Sequence, residues 1–184
     1  MVTEPVLREL APGTVAHLWG YNGSSPGPTI EVIEGDRVRI YVTNRLPEHT
    51  SIHWHGQRLP NGMDGVVGLN QEGIPPGKTF LYEFEAKRPG TFMYHPHADE
   101  MTQMAMGMMG FWVTHPRQPH PWIEEVDRDY CFLLGAYDIE PGAAVPKVNT
   151  MLEFNLWTWN SRIFPGLDPL VAGPVSYTHL TLPT

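Results

Sequence analysis

Two short stretches carry residues able to do chemistry: His53-Trp54-His55-Gly56 and His95-Pro96-His97. A β-strand repeats every two residues, so in each stretch both imidazoles leave one face while Trp54 or Pro96 is set apart. Neutral imidazole is the commonest metal ligand and suits copper, zinc, iron and nickel. On neighbouring strands, four ring nitrogens would share one small pocket, filled by a single closed ion or by a cluster of several. Spacing alone leaves both arrangements open.

The elements around these pairs read as short strands. The chain has 184 residues, enough for one well-cored domain and part of another. Its 18 glycines and 19 prolines make up a fifth of the chain, yet 41% of the residues are hydrophobic, which implies many turns between packed strands. A formal charge of -8 argues against a nucleic-acid surface, and no window has the apolar length of a membrane span. The single cysteine, Cys131, excludes an internal disulfide and any multi-thiolate site. No signal peptide is visible over Met1 to Gly13.

Val15 to Asn22, Thr29 to Ile33, Asp36 to Thr43, Thr50 to His55, Thr79 to Glu85, Gly90 to His95 and Phe111 to Thr114 read as strands. Gly56 to Gly77 is a long loop region, of the kind that is usually functional. Met101 to Met109 is the one stretch able to form a helical turn or two, and its methionines are read as adaptable packing rather than a Cu(I) box. The pattern predicts an all-β antiparallel sandwich or barrel. Trp157-Thr158-Trp159-Asn160-Ser161, then Pro165-Gly166, echoes Trp19-Gly20-Tyr21-Asn22-Gly23, then Pro26-Gly27. This is an internal repeat. Cys131, in the apolar run Tyr130 to Leu134, is expected on a strand as a buried thiol.

Two metal-site families compete for the histidine pairs. A cupin-like site would want a glutamate three or four residues after the first pair, where Gln57, Arg58 and Leu59 stand, and a carbonic-anhydrase-like zinc site leaves the second pair without a role. A third family fits in order. His53-Trp54-His55-Gly56, Asp64-Gly65, a Pro-Gly turn, Tyr82-x-Phe84, Gly90 through His97, and Gln103 before Gly110-Phe111-Trp112-Val113 resemble the first cupredoxin domain of the multicopper oxidases over about residues 15–116.

The resemblance implies a cupredoxin-like Greek-key β-sandwich followed by the start of a second cupredoxin domain. It implies that His53 is a type 2 copper ligand, that His55, His95 and His97 are type 3 ligands, and that Asp64 relays protons. Dioxygen would be reduced to water at the trinuclear cluster, at the expense of a phenol, an aromatic amine or a low-valent metal ion. The type 1 copper, whose cysteine stands between histidines, is absent, because Tyr130 and Phe132 flank Cys131. A missing C-terminal cupredoxin domain would supply it, so this chain alone should be inactive. The family further implies a periplasmic or extracellular location. A non-enzymatic copper-binding or copper-tolerance protein is the alternative. The expected division is a cupredoxin domain over 1–116, a linker over 117–127, an incomplete second domain over 128–173 and a non-native tail over 174–184.

Overall fold

The structure, a computed structural model, describes residues 1–118, 126–148 and 153–171. Most of the expected linker and all of the expected tail lie outside the described residues.

Two four-stranded sheets form the sandwich. The first has the order β2-β1-β4-β6, from Thr14–Tyr21 (β2), Val2–Ala11 (β1), Arg37–Asn44 (β4) and Thr79–Glu85 (β6). The second has the order β3-β8-β7-β5, from Gly27–Ile33 (β3), Gly110–His115 (β8), Gly90–His95 (β7) and His53–Trp54 (β5). Alternation decides which side chains enter. On β6, Tyr82 and Phe84 are buried while Glu85 is exposed, and on β4 Val42 turns in while Arg37, Arg39 and Tyr41 turn out.

The two inner faces meet in an aromatic core. Trp54 of β5 lies 5.3 Å from the Tyr82 ring, 5.5 Å from Phe84 and 5.4 Å from Trp112 of β8. Each such contact adds about 0.5–1.5 kcal/mol beyond the apolar area it covers. The methionine stretch divides between packing and surface. Met108 is fully buried and Met106 nearly so, whereas Met101, on the helix α1 (Glu100–Ala105), is half exposed.

The sandwich is mixed, not antiparallel throughout. β3 runs parallel to β8 over Ile30↔Trp112 to Ile33↔His115, and β1 runs parallel to β4 at Val2↔Thr43 and Thr3↔Asn44. A half-buried strand alternates identically in either orientation, so the sequence pattern carries no sign of the difference. Cys131 also departs from expectation. It is half-buried in a loop that precedes β9 (Leu134–Tyr137), and that loop is held by side chains instead of a ladder: Asn160 Nδ2 donates to the Cys131 carbonyl at 3.0 Å. Partial burial raises the thiol's pKa, and the charges of Asp129 and Glu31 add to the shift.

β9 and β10 (Leu156–Trp159) form a separate antiparallel pair. The repeated turns share one backbone device. Asn22 and Asn160 both take positive φ, at 50° and 51°, and each side chain accepts a backbone N–H, from Val2 at 2.7 Å and from Leu133 at 2.8 Å. Tyr137 and Ile139 then pack with Val6, Leu10 and Leu18 in a second core beneath the first sheet.

Gly65 ties the long loop to the site. Its φ is +80°, and a Cβ there would fall 1.9 Å from the Ile52 carbonyl oxygen. Gly65→Ala is therefore expected to cost about 2 kcal/mol or more in urea unfolding, from strain and backbone displacement together. An unchanged midpoint would mean that the loop does not rest on Ile52.

Candidate metal centre

β5 and β7 are antiparallel, with His53 opposite His95 and Trp54 opposite Tyr94. Residues directly opposite share a face, so both histidine pairs turn away from the aromatic core and toward each other. The His53 ring centroid lies 5.6 Å from His55, 5.3 Å from His95 and 5.4 Å from His97. Among the described residues, one nitrogen each from His53, His55 and His95 lies within 4.8 Å of the others. His97 flanks this trio, with its Nε2 3.5 Å from Glu100 Oε2.

Hydrogen bonds settle which nitrogens are free. A carbonyl only accepts, so His53 Nδ1–H donates to the Asp64 carbonyl at 2.7 Å and His95 Nδ1–H donates to the Pro96 carbonyl at 3.0 Å. Both rings thus present an unprotonated Nε2, the arrangement that orients metal-binding imidazoles. His95 Nε2 faces His55 Nδ1 at 3.3 Å. Two nitrogens bonded at about 2.0 Å to one tetrahedral ion stand about 3.3 Å apart, so the His55 and His95 nitrogens already have the spacing of two ligands on one ion.

Asp64 enters twice. Its carbonyl orients His53, while its carboxylate lies 3.4 Å from the same Nδ1 and accepts from Asn70 Nδ2 at 3.4 Å. Sequence reasoning placed a proton relay at Asp64 but missed the backbone contact, because any residue type supplies a carbonyl. It also missed Ser51, whose Oγ accepts the His97 N–H at 3.1 Å, and Glu100, which sits between His95 and His97. Neither has a motif of its own.

Two packed sheets, one of them carrying both His-x-His pairs on the neighbouring strands β5 and β7, form a cupredoxin-like fold. The family model described as multicopper oxidase matches residues 5–119, and the chain belongs to that family. It is similar to copper resistance protein A of Escherichia coli, 39% identical over 134 residues that cover 72% of this chain and 22% of that protein. L-ascorbate oxidase of Cucurbita pepo var. melopepo is 43% identical over 102 residues, covering 54% of this chain and 18% of its own length. The structure of the blue copper oxidase from Nitrosomonas europaea superposes with a TM-score of 0.81 at 32% identity, over 92% of this chain and 54% of that one. The chain spans about a fifth of the length of these curated relatives. No helix among the described residues is long and apolar enough to cross a membrane.

Burial sets the pH response of the metal-free site. It lowers the His95 pKa, helped by the neighbouring His53 and His55 and opposed by the Pro96 carbonyl and Glu100. The unfolded chain gains this proton near pH 6.5 while the folded ring resists it, so stability is lost as pH falls through that value. His95→Gln should flatten the fall in urea midpoint between pH 7.5 and pH 5.5. An equally steep fall in the variant would place the effect elsewhere.

Proposed function

We propose that this chain is the N-terminal part of a copper-dependent oxidase, contributing four histidines to the trinuclear site that reduces dioxygen to water. The observation that carries the reading is the convergence of His53, His55 and His95, with the Nδ1 protons of His53 and His95 already committed to backbone carbonyls, inside a chain of the multicopper oxidase family. His53 is assigned as the type 2 ligand and His55, His95 and His97 as type 3 ligands. Copper, cycling between Cu(I) and Cu(II), supplies the one-electron steps that four-electron reduction requires.

The chain's own residues do the rest. The Asp64 carbonyl fixes the tautomer and aim of His53. The Asp64 carboxylate, about a third exposed, reaches both solvent and the His53 edge, and is assigned to pass on protons that the reaction consumes. The reductant, a phenol, an aromatic amine or a low-valent metal ion, would deliver its electrons at a type 1 copper, for which this chain has no cysteine between histidines. A missing C-terminal cupredoxin domain supplies that site. The β9–β10 pair supports this assignment, because its outward face exposes Leu134, Trp157 and Trp159, the alternation of a core layer awaiting cover. On this reading residues 1–116 are one cupredoxin domain and residues 128–173 begin another, after export to the periplasm or the cell exterior.

The similarity to copper resistance protein A keeps a second reading, a non-enzymatic copper-binding protein. The parent gene beyond the codon for Gly173 separates the two. A second His-x-His pair and a His-Cys-His motif support the oxidase, whereas a frame without a cysteine between histidines supports copper binding alone.

In the complete enzyme, Asp64→Asn keeps the carbonyl that orients His53 and removes the proton carrier. Copper content should stay intact while oxygen uptake slows on the order of 10²-fold. Equal turnover by the two proteins would remove Asp64 from the proton path.

A further inference from the structure

The direct ladder between the histidine-bearing strands is short. It has two residue pairs, extended by one bond from the His55 N–H to the Met93 carbonyl at 3.0 Å. His97 lies beyond it, past the end of β7, and its N–H is taken by Ser51 Oγ. Six residues further on, Gln103 sits on α1 with no exposed surface. Its amide is committed wholly to the segment that leads into β5. Nε2 donates to Glu48 Oε1 at 2.7 Å and to the His49 carbonyl at 2.8 Å, and Oε1 accepts from Thr50 Oγ1 at 2.7 Å.

We propose that Gln103 is the positioning residue that sets the spacing between the two histidine pairs. Its amide fastens α1, and with it His97, to the 48–51 segment that precedes His53 and His55. The inference rests on reading those histidines as copper ligands, and it concerns the residue that holds them in place. Two donors and an acceptor on one planar group are needed to serve Glu48, His49 and Thr50 together, and among neutral side chains of this length only glutamine has them. A glutamate at 103 donates nothing when ionised and sets a second carboxylate against Glu48.

The test uses the full chain, with Gln103→Glu, Glu48→Gln and the double variant, which exchanges donor and acceptor at the two positions. Amide hydrogen exchange is followed without metal, and Cu(II) binding by titration and electron paramagnetic resonance. Gln103→Glu should speed exchange at Thr50 and His97 about tenfold, weaken Cu(II) binding about tenfold and alter the copper hyperfine splitting. The double variant should recover the part of each change that comes from the 48–103 contact, since an amide at 48 can donate to a carboxylate at 103 while the His49 carbonyl stays without its donor; general loss of packing would recover nothing. Thr50→Val removes one of the three bonds at constant shape, and should speed exchange at His97 about threefold even if the charged variant does not fold. Exchange and spectra matching the unsubstituted chain, or no recovery in the double variant, would overturn the proposal. If the unsubstituted chain binds Cu(II) no better than one with all four histidines changed to alanine, the copper reading falls. The clamp is then decided by exchange alone.

Discussion

The site depends on one register: His53 opposite His95. Because side chains alternate, a slip of a single residue between β5 and β7 would send one histidine pair to the opposite face. A two-residue ladder is weak protection against such a slip. Trp54 supplies the rest. It points the other way, with 1% of its surface exposed, into contact with Tyr82, Phe84 and Trp112. Turning Trp54 out would expose one of the largest side chains in the core, so the histidines are held in place by the residue between them.

The remaining elements act on that register. β4 and β6 build the wall against which Trp54 packs, and β8 joins β7 to the parallel strand β3. The long loop after Gly56 returns to the site at Asp64 and Gly65, where close backbone approach brings a carbonyl to His53 Nδ1. On the far side of the first sheet, Tyr137 and Ile139 bury against Val6, Leu10 and Leu18. The β9–β10 pair is thereby anchored without touching the histidines. The histidines and the β9–β10 pair thus sit on different faces of one scaffold.

The sequence made the histidine pairs, the alternation of β4 and β6 and the repeated Asn-centred turn readable, since each depends on local spacing. β1 was not readable. Pro5 interrupts its pattern, and proline is tolerated there because β1 pairs with β4 only at Val2 and Thr3 and has β2 alone as a partner beyond them. The parallel pairings were hidden because partner choice is non-local. Gln103 stood in the motif that carried the resemblance, but its role lies in three partners some fifty residues away in the chain. Asp64 was singled out for its carboxylate, whereas its carbonyl, which holds His53, was invisible to any reading of side chains.

The most direct measurement is anomalous diffraction at the copper edge from crystals of the complete parent protein. The account predicts copper peaks within about 2.1 Å of His53 Nε2, His55 Nδ1 and His95 Nε2, with His97 completing the set. Fully occupied copper elsewhere in the protein, with no peak at these nitrogens, would contradict it.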